Sequence, residues 1–236
     1  MRQSRSLCSL AVHVADLDRP CRLAENAGVT VEELLWDMDG TLLDTTLVVP
    51  AAFVRTVRAL GGRDVEPAEV VAQYWRGVPE VLLEHLVDRP LTAAETDIYY
   101  RELEEVEVAA YSGVAEVFDA LRAGGRTLAV FTGASTRAAE MLLRAAGLKV
   151  DVLIGGDQVS RPKPAPDGIR LTAAKLGISP TDLAYIGDSP LDLRAAAAAG
   201  SCSVAAAWGH MYREDEPADI VLPEPSGAID LLRTLL

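Results

Sequence analysis

Short apolar runs alternate with segments of helical period along most of this chain, and that rhythm constrains the fold more than any other feature. The runs fall at 33–37, 127–131 (TLAVF), 152–154, 183–187 (LAYIG), 203–206 and 219–222. Each has the length of a strand and the continuous apolar character of a strand covered on both faces. Helical patterns at 114–123, 136–146, 166–176 and 190–199 separate most of them, and Gly147, Gly177 and Gly200 stand where helix C-caps belong. This alternation predicts an α/β fold, a doubly wound parallel sheet with helices on both faces. With 236 residues, half of them hydrophobic, the chain can bury one large core or a core with a smaller inserted domain.

One stretch breaks the rhythm. Residues 47–111 show no clear strand, only helical patterns at 49–60, 67–74, 79–87 and 92–109. The last opens on Thr92-Ala93-Ala94-Glu95, a capping box. An insertion of this size after the first strand predicts an all-helical lid domain, which leaves 33–46 and 112–236 to the α/β core. Residues 1–32 form an N-terminal extension of uncertain structure, in which Leu10 to Val14 could be a short strand and Leu23 to Ala27 a helical turn.

Sheets of this kind bind ligands beyond the carboxyl ends of their strands. The first strand runs into Asp37-Met38-Asp39-Gly40-Thr41-Leu42-Leu43-Asp44-Thr45. In an extended backbone, residues two apart share a face, so Asp37 and Asp39 leave the strand side by side. Two such carboxylates repel unless a cation sits between them or one holds a proton. After 127–131 come Thr132, Gly133, Ala134 and Ser135. After 152–154 a loop reaches Arg161-Pro162-Lys163-Pro164, and after 183–187 come Asp188, Ser189 and Asp192. Carboxylates, a hydroxyl beside backbone N–H groups and a lysine are the parts that phosphoryl transfer through an aspartyl-phosphate needs.

These four motifs, in this order, resemble the signature of the haloacid dehalogenase-like superfamily, most of whose members are phosphohydrolases. The likeness covers residues 33 to 192 and continues through Gly200, Trp208-Gly209 and Ala218-Asp219. It implies a Rossmann-like core, and the helical insertion resembles the cap of phosphoglycolate phosphatase-like and β-phosphoglucomutase-like members. The resemblance also implies roles. Asp37 would be the nucleophile, and Asp39 the general acid and then the base for water. Thr132, Gly133 and Ala134 would hold the phosphoryl oxygens, and Lys163 would neutralise both nucleophile and phosphate. Asp37, Asp188 and Asp39, the last through its backbone carbonyl, would hold Mg²⁺, with Asp192 ordering the metal shell or Lys163.

Ordinary structural readings stand beside several of these. Thr132 fits a turn and Ser135 a helix N-cap. Lys163 between two prolines fits a solvated loop, and Ser189-Pro190-Leu191-Asp192 a helix start with Asp192 in its first turn. In the family, dehalogenating members need no acid at the second aspartate, so Asp39 favours phosphate esters. A phosphonate-cleaving lysine would come from the cap, and residues 46–112 contain no lysine. In Tyr74-Trp75-Arg76-Gly77-Val78-Pro79, which breaks two cap helices, Arg76 is expected to contact the substrate with Trp75 packed on it; a surface arginine and a buried tryptophan are the alternative. His13, His85 and His210 are isolated, and His210 could reach the rim of the site.

The expected activity is therefore Mg²⁺-dependent hydrolysis of a small phosphorylated metabolite. A β-phosphoglucomutase-like phosphomutase is the alternative, and a non-catalytic binding protein on the same fold is a third. A net charge of −13 argues against a nucleic acid polymer or an anionic membrane as partner. Cys8, Cys21 and Cys202 lack metal-ligand spacing and suit a reducing compartment. Residues 7–15 after Arg2 and Arg5 faintly suggest a signal peptide, but the run is short and holds a histidine, so a cytoplasmic protein is expected. Monomer and homodimer both remain open.

Overall fold

The computed structural model describes residues 31–233. The expected strand at Leu10 to Val14 and turn at Leu23 to Ala27 lie outside that range, as do Cys8, Cys21 and His13.

The core is a six-stranded parallel sheet built from β1 (Glu33–Trp36), β4 (Ala129–Phe131), β5 (Val152–Ile154), β6 (Leu183–Gly187), β7 (Cys202–Ala206) and β8 (Ile220–Leu222), in the order β5-β4-β1-β6-β7-β8. The chain leaves β1 for β4, moves outward to β5, then returns to the other side of β1 for β6. The order therefore reverses at β1, where doubly wound sheets bind ligands. Side-chain alternation separates the two faces of the sheet. Leu34, Trp36, Val130 and Ile186 enter one apolar cluster, with α5 (Val114–Ala123) and α6 (Thr136–Ala145). Leu35, Ala129, Phe131 and Tyr185 enter the other, with α7 (Asp167–Leu176) and α8 (Pro190–Ala199). Trp36 meets Phe118 edge to face at 5.7 Å. The chain closes with α9 (Ala228–Arg233), packed against α5.

Two short strands escape a reading by periodicity. β2 (Leu43–Asp44) and β3 (Ala109–Ala110) pair antiparallel, Leu43 opposite Ala110. Two residues carry no alternation to detect, so this ribbon, which carries the chain into and out of the helical insertion, is a correction to the strand-free stretch expected there. The insertion holds α1 (Val48–Ala59), α2 (Pro67–Val71), α3 (Pro79–Val87) and α4 (Ala93–Glu104), with α1 packed on the other three. The helix expected over 67–74 stops at Val71, and Tyr74–Arg76 is a separate 3₁₀ turn. The helix expected to reach 109 ends at Glu104. Thr92 and Glu95 form the capping box that starts α4.

Candidate active site

β4, β1 and β6 are neighbours, and the residue after each strand enters the same space. Trp36 lies beside Val130 on one flank and Ile186 on the other, so Asp37, Thr132 and Asp188 emerge together above the middle of the sheet. Asp37 stands just past β1 rather than within it, its N–H still donating to the Ile186 carbonyl at 2.8 Å. Gly40 then turns the chain with a φ of 83°. A Cβ there would fall 2.3 Å from Asp188 Oδ2, so only glycine allows the turn to approach so closely.

Lys163 arrives from the loop after β5. Its ammonium donates to Asp37 Oδ1 and Asp192 Oδ1, each at 2.6 Å. Only a tenth of its side chain is exposed (10%), which excludes a solvated loop lysine. Asp192 does stand in the first turn of α8, and it does more there. Its Oδ2 accepts from Ser189 N and Oγ in a capping box, while Oδ1 takes Lys163 and the Tyr185 hydroxyl. The helix-start contacts and the contact with Lys163 thus coexist on different oxygens of Asp192. Tyr185 itself was not singled out from the sequence. It is an inward position of β6, and its hydroxyl also reaches the Phe131 carbonyl at 2.9 Å.

Thr132 Oγ1 lies 3.4 Å from Asp39 Oδ2 and accepts from Ala134 N at 3.1 Å. The Ala134 N–H is therefore engaged within the loop, unlike the free donor expected. Ser135 caps α6, accepting from Ala138 N. Arg76 does not come to the cleft. Its Nε donates to Gln73 Oε1 at 2.7 Å and its guanidinium lies over the ring of Trp75, which is exposed rather than buried. The helix expected over 67–74 does not include Arg76, which ends the 3₁₀ turn half-buried against Gln73 and Trp75. His85 has no part in the cleft, whereas His210 stands at its edge, Nδ1 3.9 Å from Asp188 Oδ2. The neighbouring Met211 N–H donates to that oxygen at 2.9 Å. Nothing in the pattern around Met211 signals this, because a backbone donor carries no residue type.

The charges do not balance. Asp37, Asp188 and Asp192 each bring an oxygen within 4.8 Å of the others, Asp39 stands beside them, and among the described residues Lys163 is the one basic side chain lining the cleft. Burial first, then the Asp192 carboxylate, push Asp37 well above the usual carboxylate range, against the pull of Lys163. Burial and Asp192 likewise push Asp188 up to about 7. Burial raises Asp39 too, opposed by hydrogen bonds from Thr45 and Thr132. Burial disfavours the Lys163 ammonium, but Asp192 and Asp37 outweigh it and hold the lysine charged. Asp39 Oδ1 and Asp188 Oδ1 are buried with no hydrogen-bond partner among the described residues. An all-oxygen donor set with surplus negative charge and orphaned oxygens suits a hard divalent cation such as Mg²⁺.

The cleft and sheet define a phosphohydrolase-like α/β architecture. Residues 34–200 match the model of haloacid dehalogenase-like hydrolases, and the chain belongs to that family. It is 31% identical over 219 residues to a phosphoglycolate phosphatase of Nitrosospira multiformis, covering 86% of this chain and 96% of that protein. It is 29% identical over 215 residues to an N-acetylmuramic acid 6-phosphate phosphatase of Pseudomonas aeruginosa, covering 86% and 95%. Among solved structures it is similar to CbbY from Rhodobacter sphaeroides in complex with phosphate, with a TM-score of 0.71 and 28% identity over 83% of this chain and 95% of that one. Among the described residues no helix is long and apolar enough to cross a membrane.

Proposed function

We propose that this protein hydrolyses a small phosphate monoester through a phosphorylated Asp37. The carrying observation is Asp39. It stands on the same face two residues beyond Asp37, with one oxygen buried and unpartnered. A buried carboxyl with a raised pKa can hold the proton that a leaving oxygen needs.

The Asp37 carboxylate attacks phosphorus as the ester P–O bond breaks, and Asp39 gives its proton to the departing oxygen. The Asp39 carboxylate then takes a proton from water, which attacks the acyl phosphate, freeing Asp37 and inorganic phosphate. Lys163 holds Asp37 in line and lessens its repulsion with the incoming phosphoryl oxygens. Thr132 and the Gly133 N–H face those oxygens. Asp37, Asp188 and the Asp39 carbonyl would hold Mg²⁺, which supplies charge neutralisation of the phosphoryl group. Asp192, whose oxygens are taken by Lys163, Tyr185 and Ser189, positions Lys163 rather than the metal. The helical insertion, residues 47–111, acts as a cap over the cleft, and the protein works in the cytoplasm on a soluble metabolite.

Phosphate release from a panel of phosphorylated metabolites tests this. Activity should require Mg²⁺, vanish with a chelator, and fall by roughly 10⁴-fold or more in Asp37→Asn. Phosphate release that survives Asp37→Asn in folded protein would sink the proposal.

A further inference from the structure

The cleft has two walls of opposite character. The core wall carries the carboxylates, Thr132 and Lys163. Among the described residues, the wall from the helical insertion is Val49, Phe53, Tyr74, Leu82 and Tyr99, with no charged side chain. Phe53 is its centre, with ring centroids 4.5 Å from Tyr99 and 6.4 Å from Tyr74. These rings are fixed by the packing of α1 on α3 and α4, so the wall is preformed.

A second anionic group on the substrate would find no cationic partner among the described residues of that wall. Among the described residues the one basic side chain lining the cleft is Lys163, and Asp37 and Asp192 already engage it at 2.6 Å each. Arg76, the nearest candidate in sequence, is tied to Gln73 and Trp75 outside the cleft. Desolvating a carboxylate or second phosphate against apolar side chains without a cation is strongly unfavourable. An apolar group gains by the same contact.

The two tyrosines refine the picture. Their hydroxyls make no hydrogen bond to any described residue, although Tyr99 is almost fully buried. Burial and the nearby Asp39 carboxylate push both phenols upward, so each stays neutral and can donate one hydrogen bond. Neutral donors suit an ether or hydroxyl oxygen. The cleft volume of ≈ 120 Å³ is near that of an apolar cavity that takes up benzene, about 150 Å³. The same space must also take the phosphoryl group beside Asp37, Thr132 and Lys163, so only a small group, a short chain or at most one ring, fits against the apolar wall.

We propose that the substrates are monophosphate esters of an uncharged, mainly apolar alcohol, a single ring or short alkyl chain, and that the cap wall rejects esters carrying a second anion. This rests on the phosphatase reading above and departs from what the phosphoglycolate-named relatives act on.

Benzyl phosphate and 2-phosphoglycolate are both primary alkyl phosphates, and differ at the group that would meet the cap. Wild-type protein with Mg²⁺ should show kcat/KM for benzyl phosphate roughly tenfold or more above that for 2-phosphoglycolate. Calorimetric binding of both to Asp37→Asn with Mg²⁺ should give the same order without turnover. Equal values or the reverse order, in kcat/KM or in binding, would overturn the substrate class while leaving the phosphatase standing. Absence of phosphate release from every ester, with benzyl phosphate still bound more tightly by Asp37→Asn, would remove the phosphatase reading and keep the apolar selectivity.

Discussion

Tyr100 on the helical insertion and Ser135 at the N-cap of α6 share a hydrogen bond of 2.8 Å across the seam between insertion and core. Tyr100 gives its proton to Glu80, so the bond to Ser135 uses the Ser135 proton, while Ser135 Oγ also accepts from Ala138 N. Arg137 of α6 lies over the Tyr100 ring at 3.9 Å and pairs with Asp97 of α4. The seam joins a cap-side acid to a core-side helix start through one hydroxyl. Tyr100→Phe keeps the ring and its cation contact but leaves Glu80, one oxygen of which is already buried and unpartnered, without its donor. Urea unfolding should show a loss of about 1–3 kcal/mol, the range for an orphaned buried polar group. An unchanged midpoint would mean that the seam is not formed in solution.

The capping box of α4 gives a pH dependence with a definite sign. Arg89 first, then the Thr92 backbone and hydroxyl, lower Glu95 from its ordinary 4.5 to about 2. A carboxylate depressed in the folded state stabilises it above the unfolded value and loses that effect as pH falls through the folded one. The melting temperature of Glu95→Gln should therefore lie below wild type at pH 7. The gap should narrow as pH falls below 4.5 and close near pH 2. A gap that persists at pH 2 would assign the effect to something other than charge.

Much of this was legible in the sequence because it rests on periodicity and on chain order. Asp37, Thr132 and Asp188 follow strands, and strands of a doubly wound sheet end on one side. Ser189-Pro190 and Thr92-Glu95 are local signals that need no tertiary contact, and both caps form as read. What was not legible depends on tertiary contacts or on the backbone. Arg76 lies in a break between helices whose pattern does not reveal which neighbours hold its guanidinium, so its contacts with Gln73 and Trp75 could not be read. The donor to Asp188 is a backbone N–H, and the ribbon of β2 and β3 is too short to show a period. Tyr185 sat inside a run read only as apolar, although its hydroxyl needs a partner once buried.

Lys163 stands between two carboxylates, and its removal leaves them facing each other. Lys163→Met should destabilise the metal-free protein by about 3–5 kcal/mol, the usual result of breaking a buried ion pair from one side. Lys163→Arg should not restore activity, because a planar guanidinium cannot place one charge between Asp37 and Asp192 in the space an ammonium fills. Chemical denaturation and phosphate release on the two variants check both statements. Full activity in Lys163→Arg would show that the site needs charge alone.

General-acid catalysis by Asp39 should depend on the leaving group. An alkoxide departs poorly without a proton, whereas p-nitrophenolate departs readily. Asp39→Asn should lower kcat for an alkyl phosphate by about 10²–10⁴-fold. The loss for p-nitrophenyl phosphate should be clearly smaller, since that step draws less on the acid. Equal losses on both esters would place the role of Asp39 elsewhere, in holding the substrate or the neighbouring groups.

Gly209 offers a way to disturb the carboxylate cluster without touching a charge. A Cβ at this position would fall 2.2 Å from Asp188 Cβ and 2.4 Å from the Gly40 carbonyl oxygen. Neither neighbour can yield freely. Asp188 is held by the Met211 N–H, and Gly40 sits in a turn closed by the Leu43 carbonyl. Gly209→Ala therefore displaces the side chain of Asp188 while removing no carboxylate from the site. If Asp188 helps to hold Mg²⁺, the concentration of Mg²⁺ that gives half-maximal activity should rise by about 10–100-fold, as when supporting contacts of metal ligands are removed. Activity at saturating Mg²⁺ should largely return. An unchanged Mg²⁺ requirement with a lowered ceiling would mean that the added methyl acts on the Asp37–Asp39 turn through Gly40 instead. The two outcomes separate because one moves the midpoint of the titration and the other its plateau.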